Sequence, residues 1–108
     1  DYQLVTSSKD DLDQLVKVMD AYPQMIIEIF SHTDSRGNSE ENLELSQKRA
    51  NEVKDYLMKK GISKLRMRAI GVGENFPVNK CGDGIQCTEP EYRRNRRTEF
   101  KILQISRI

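Results

Sequence analysis

Asp34 and Arg49 are the two residues whose types and spacing suggest chemistry. They lie fifteen positions apart, in His32-Thr33-Asp34-Ser35-Arg36-Gly37 and in Asn42-Leu43-Glu44-Leu45-Ser46 running on to Arg49-Ala50. The guanidinium of Arg49 is a planar fork of donors that matches a carboxylate two bonds at a time. The carboxylate of Asp34 accepts from an ammonium. An acid and a base held near one another suit a ligand that carries an ammonium and a carboxylate on one carbon. Thr33 offers a hydroxyl beside Asp34, and Asn42 can brace the Asp34 turn by bonding its backbone. Leu45 can shield the pair from water. The start of the helix that carries Arg49 adds a favourable potential for an anion. A plainer reading uses the same residues: Asp34 and Arg49 pair with each other and merely tie turn to helix, as most ion pairs do. The residues alone leave both readings open.

The elements that must position these groups follow from periodicity. Ser7 or Ser8 caps a first helix, with Asp10 and Asp11 at its positive end. Leu12, Leu15, Val16, Met19 and Tyr22 recur at helical spacing, and Pro23 stops them. Met25 to Phe30 is short and β-branched, a largely buried strand. Ser35-Arg36-Gly37-Asn38 is a turn. A second helix is expected from about Ser39 to Lys60, with Leu43, Ser46, Ala50, Val53 and Leu57 as its inner stripe. Asn42, Leu45 and Arg49 share the neighbouring face, at the rim between core and solvent. Gly61 suits the position just past a helix end, and Ile62 folds back on the last turn. Leu65 to Val72 reads as a strand with Gly71 and Gly73 at its exit, followed by a long loop through Pro77, both cysteines and Pro90. A last strand runs from about Arg97 to Ile105. The expected class is α+β, a two-layer sandwich with helices on one face of a mixed sheet. Asp1 to Val5 leave little room for a strand ahead of the first helix.

The chain has 108 residues, which suits one domain, and 36% of them are hydrophobic against 32% charged. A net charge of +1 gives no bulk pull toward nucleic acid or an anionic membrane. No run approaches the ~20 apolar residues of a membrane span, and no signal peptide is visible. Cys81 and Cys87 flank a glycine-rich loop that closes easily. A disulfide, and with it an oxidising compartment, is the favoured reading over two reduced thiols. No metal site is expected, because the single histidine lies far away in sequence. His32 and Asp34 as a hydrolytic pair lack a nucleophile, so a hydrogen-bonded structural histidine is the better reading. Arg93-Arg94-Asn95-Arg96-Arg97 could grip phosphates, which makes a small nucleic-acid-binding module the alternative function; the plainer reading is solvated charge with local pairing to Glu89, Glu91 or Glu99. Aromatic residues are only 6% of the chain, so stacking platforms are not apparent.

Taken together, the motifs resemble the OmpA-like C-terminal domain family. The matching residues are His32-Thr33-Asp34-x-x-Gly37, Asn42-x-x-Leu45-Ser46-x-x-Arg49-Ala50, Val53 with Tyr56-Leu57, Gly61-Ile62, Arg66, Gly71-x-Gly73-Glu74, Pro77 and Asn95-Arg96-Arg97-x-Glu99. They keep the family's order from about Leu12 to Ile105. The resemblance implies a β-α-β-α-β-β order, with the first strand missing or truncated in this chain. It implies one non-catalytic domain over residues 1–108, with no cofactor. Such domains hold peptidoglycan without covalent attachment, through the diaminopimelate residue of the stem peptide. On this resemblance Asp34 meets the ammonium and Arg49 the carboxylate. Thr33, Asn42, Leu45 and Arg96 fall at pocket positions. The place implied is the periplasmic side of the bacterial outer membrane. There the domain tethers that membrane, or a membrane complex, to the wall, with membrane attachment supplied by a part outside these residues. No nucleic-acid partner is implied.

Overall fold

The apolar stripes and turn residues form the expected layers. A computed structural model describes residues 3–6, 9–82 and 84–104. The elements are β1 (Gln3–Thr6), α1 (Lys9–Ala21), β2 (Ile26–His32), α2 (Ser39–Lys59), a 3-10 turn (Lys64–Arg66), β3 (Met67–Gly73), α3 (Glu89–Arg93) and β4 (Arg97–Gln104). The sheet order is β1-β4-β2-β3. β2 and β3 run parallel, joined by the α2 crossover, and β4 is antiparallel to both β1 and β2.

The first strand is therefore present. Gln3–Thr6 pairs with Thr98 to Lys101 of β4, and these four residues suffice because a full-length neighbour supplies the ladder. The expected Ser7 or Ser8 cap and the end of the last strand at Ile105 lie outside the described residues.

β2 places Ile27 and Ile29 on one face by simple alternation. They pack with Met67 and Phe100 of the neighbouring strands against Leu15 and Met19 of α1 and Ala50 and Leu57 of α2. Leu43 does not belong to that stripe. Its backbone lies on Gly73 of β3, but its side chain is 47% exposed.

Both ends of α2 are closed by side chain and backbone. The Asn38 side chain accepts from the N–H groups of Glu40 (2.8 Å) and Glu41 (3.2 Å). Two helix-start donors are thus already occupied and are not on offer to an external anion. At the other end Gly61 takes φ +99°. The N–H groups of Gly61 and Ile62 then reach the carbonyls of Met58 (3.0 Å) and Leu57 (3.1 Å), as expected for this cap. Arg66 ties the 3-10 turn to the end of α1 by donating to the carbonyls of Met19, Tyr22 and Met25.

α2 lies directly on β3, and this contact fixes everything the helix carries. The Ser46 hydroxyl donates to the Leu43 carbonyl (2.7 Å) and accepts from the Gly73 N–H (2.9 Å). The Gln47 carboxamide donates to the Ala69 carbonyl (2.9 Å) and accepts from the Gly71 N–H (2.9 Å). Gly71 and Gly73 are thus more than a strand exit: they let a helix backbone approach a strand backbone.

The expected long loop contains the short helix α3. Its signal is local: the Thr88 hydroxyl accepts from the Glu91 N–H, and the Glu91 carboxylate accepts from the Thr88 N–H, with Pro90 in the first turn. Cys81 and Cys87 are joined by a disulfide. Asn95 is buried and pins this region, accepting from the Val78 N–H and donating to the Asn79 side chain.

Candidate functional site

Asp34 follows the end of β2, and Arg96 precedes the start of β4. Because those strands are antiparallel neighbours, with His32 opposite Arg97, the two residues meet across 62 positions of sequence. Thr33 is fixed by its N–H, which donates to the Gly73 carbonyl (2.9 Å). Gly73 in turn lies against the backbone of Asn42 and Leu43. That stacking brings the Thr33-Asp34 turn under the first turns of α2. Asn42 closes the arrangement by donating to the carbonyls of Arg36 (2.9 Å) and Asp34 (3.4 Å) and to the Glu74 carboxylate (3.1 Å). The bracing role expected for Asn42 is present.

The Asp34 carboxylate, only 7% exposed, does not pair with Arg49. Its Oδ2 accepts from Arg36 Nη2 (2.9 Å) and from Arg96 Nη1 (2.5 Å). Its Oδ1 accepts from the Arg36 N–H (2.9 Å) and Nε (3.4 Å). Both guanidinium groups continue to Glu89, at 2.9 Å from Arg36 and 2.6 Å from Arg96. Two acids and two bases thus alternate in a closed ring. Arg36 also lies over the Tyr92 ring, 4.2 Å from its centre. The Tyr92 hydroxyl accepts from the Cys87 N–H (3.1 Å), so the disulfide loop holds the ring on which Arg36 rests.

Arg49 is partly buried and forms no hydrogen bond or ion pair among the described residues. It sits two helical turns beyond Asn42, about 10 Å along the axis. The Cα–Cβ bond of a helical residue tilts toward the helix start, here the Asn42 end. Leu45, 42% exposed, stands between them on the same face. Thr33 Oγ1 is buried without a hydrogen-bond partner among the described residues. The end of the sheet thus holds a satisfied acid and an unsatisfied hydroxyl, and an unpaired base lies further along α2. The plain Asp34–Arg49 salt bridge is absent.

Arg36 escaped the sequence reading, whereas the local pairing expected for the arginine run is present in Arg96–Glu89 and Arg97–Glu99. Arg36 carried a local signal, since an aspartate readily binds the N–H two residues on. For Glu89, only its second bond, to Arg36, was unforeseen. Of the Arg93–Arg97 run, Arg93 and Arg94 are exposed, whereas Arg96 belongs to the ring. Arg97 turns to Glu99 and to the Phe76 carbonyl. The run is not a continuous basic stripe.

His32 faces the sheet surface away from the helices, beside a cavity of about 410 Å³ that Phe30, Phe76, Arg97 and Lys101 also line. It lies 2.6 Å from Glu99, a contact that is an ion pair only when the imidazole is protonated. Burial, then Arg97, pushes its pKa down, and Glu99 only partly opposes them. His32 shares no contact with Asp34. Cys81 and Cys87 lie near Glu91, but with their sulfur atoms joined they offer no thiolates.

Burial raises the Asp34 pKa, and the bonds from the Arg36 side chain, the Arg36 N–H and Arg96 outweigh it, holding the carboxyl down at about 2 against an ordinary 3.8. A depressed folded-state pKa stabilises the fold at pH above the unfolded value. That contribution is lost as pH falls through the folded value. We expect the Asp34 term to be complete above pH 3.8 and gone near pH 2. Carbon-detected NMR titration of the Asp34 carboxyl checks it, and a midpoint near 4 would remove the ring from the account.

Comparison with known proteins places this geometry. The OmpA family model matches residues 1–88. The chain belongs to the OmpA family. Outer membrane porin F of Pseudomonas fluorescens is 38% identical over 96 residues, covering 89% of this chain and 28% of the porin. The peptidoglycan-associated lipoprotein of Rhizobium meliloti is 41% identical over 76 residues, covering 70% of this chain and 43% of the lipoprotein. The chain therefore spans less than half of either relative. The crystal structure of the peptidoglycan-associated lipoprotein from Burkholderia pseudomallei superposes with a TM-score of 0.78 at 28% identity, covering 95% of this chain and 91% of that one. The OmpA-family match includes Asp34, Asn42 and Arg49 and stops at residue 88, short of Glu89 and Arg96.

Proposed function

We propose that this OmpA-family domain binds peptidoglycan without covalent attachment and takes the diaminopimelate residue of the stem peptide as its ligand. The observation that carries the reading is Arg49: a partly buried guanidinium with no partner among the described residues, on the α2 face that also carries Asn42. An unpaired cation on the helix face whose Asn42 braces the Asp34 turn suits a ligand with a carboxylate and an ammonium on one carbon. Arg49 takes the carboxylate, and Asp34 takes the ammonium. Thr33 Oγ1 is a further polar contact, Asn42 holds the turn, Leu45 covers the pair, and Arg96 keeps Asp34 ionised. The names of the lipoprotein relatives support the wall polymer as partner. They and the porin support a site at the periplasmic side of the outer membrane, with the domain acting as a tether.

Titration of isotope-labelled domain with free meso-diaminopimelate tests the proposal. Amide shifts are expected to concentrate at Thr33, Asn42 and Arg49. Shifts confined to Arg93 and Arg94, or none at saturating ligand, would overturn it.

A further inference from the structure

The Asp34 carboxylate has no vacancy. A carboxylate offers about four lone-pair sites, and the structure fills four: the Arg36 N–H and Nε on Oδ1, and Arg36 Nη2 and Arg96 Nη1 on Oδ2. Three of the four donors belong to Arg36. An incoming ammonium must displace one of them, and it meets two guanidinium charges on approach. Arg49, in contrast, needs no displacement.

The two arginines are not equally free to yield. The Arg36 side chain is 47% exposed and that of Arg96 is 25% exposed. Arg36 also has somewhere to go, since Glu89 and the Tyr92 ring both hold its guanidinium independently of Asp34. Its backbone N–H stays on Oδ1 throughout, so the turn keeps its shape.

We propose that Arg36 is the chain's own competitor for the Asp34 carboxylate and sets the affinity of the site for ammonium-bearing ligands. In the free domain its side chain stands in for the ligand's ammonium. On binding, the ligand carboxylate takes Arg49 and the ammonium replaces the Arg36 fork on Asp34. Arg36 then remains on Glu89 and Tyr92. This rests on the diaminopimelate reading above, and the experiment separates the two.

The test is calorimetric titration of the domain with meso-diaminopimelate, comparing wild type, Arg36→Gln, Arg36→Lys and Arg49→Ala. Removing a half-exposed competing charge is expected to tighten binding roughly three- to tenfold in Arg36→Gln. Arg36→Lys, which keeps the charge but loses the fork, is expected to fall between wild type and Arg36→Gln. Equal or weaker binding by Arg36→Gln would overturn the proposal; weaker binding would mean that Arg36 grips the ligand carboxylate itself. If Arg49→Ala loses binding while Arg36→Gln is no tighter, only the competitor role fails. If Arg49→Ala binds as wild type does, the site reading fails as well.

Discussion

Arg49→Ala is expected to leave the thermal midpoint of the domain unchanged and to weaken its retention on purified sacculi about 10- to 100-fold. The stability half of this expectation follows from the absence of any hydrogen bond or ion pair at Arg49 among the described residues. Truncation strips no partner, and a partly buried helical alanine is well tolerated. The binding half follows from the worth of charge-assisted hydrogen bonds, about 1.5–3 kcal/mol. Asp34→Ala behaves differently. It leaves Arg36 and Arg96 with Glu89 alone and frees the Arg36 N–H that holds the turn, and should cost about 1–3 kcal/mol of stability as well as binding. Co-sedimentation with sacculi and a thermal melt, run on both variants, distinguish a ligand contact from a structural one. Retention of Arg49→Ala at the wild-type level would sink the proposed function.

Gly71→Ala should be the most damaging single methyl in the domain. Its Cβ would lie 2.2 Å from the Gln47 backbone nitrogen and 2.5 Å from the Gln47 Cα. Neither atom can turn aside, since both are helix backbone. The helix must lift from β3, losing the Gln47 and Ser46 bonds to the strand and loosening the Ala50 and Leu57 packing. A loss of more than about 3 kcal/mol is expected, measured by urea unfolding. Gly82 gives the control, for a methyl there meets nothing within 4 Å, and Gly82→Ala should stay within about 0.5 kcal/mol of wild type. Comparable stability of the two variants would mean that α2 does not rest on β3 in solution.

Elements held by short-range rules were readable in advance. Ile27 and Ile29 alternate, Ser46, Ala50 and Leu57 recur at helical spacing, and Gly61-Ile62 is a helix end in any context. Asn42 was readable as a brace because it lies eight residues from Asp34, across one turn. What escaped depends on distant segments meeting. β1 has four residues and exists because β4 offers a partner, so its own periodicity says little. Glu89 joins Asp34 only through arginines that the β2–β4 pairing brings together. The choice of Arg36 and Arg96 over Arg49 as partners of Asp34 is of the same kind. Charge type was visible in the sequence, but the pairing is decided by backbone geometry. Leu43 shows the opposite error, a residue with the right period whose backbone meets the sheet while its side chain stays exposed.

The Gln47 carboxamide has a consequence beyond holding a helix down. β3 is the outermost strand on its side, so its outward-facing peptide groups could template addition of a foreign chain. Gln47 presents one donor and one acceptor to Ala69 and Gly71, the same pair of bonds that a residue on an added strand would make. One side chain thus impersonates the missing neighbour and terminates the ladder. In a crowded compartment, that blunt margin would keep neighbouring copies of the domain from zipping together.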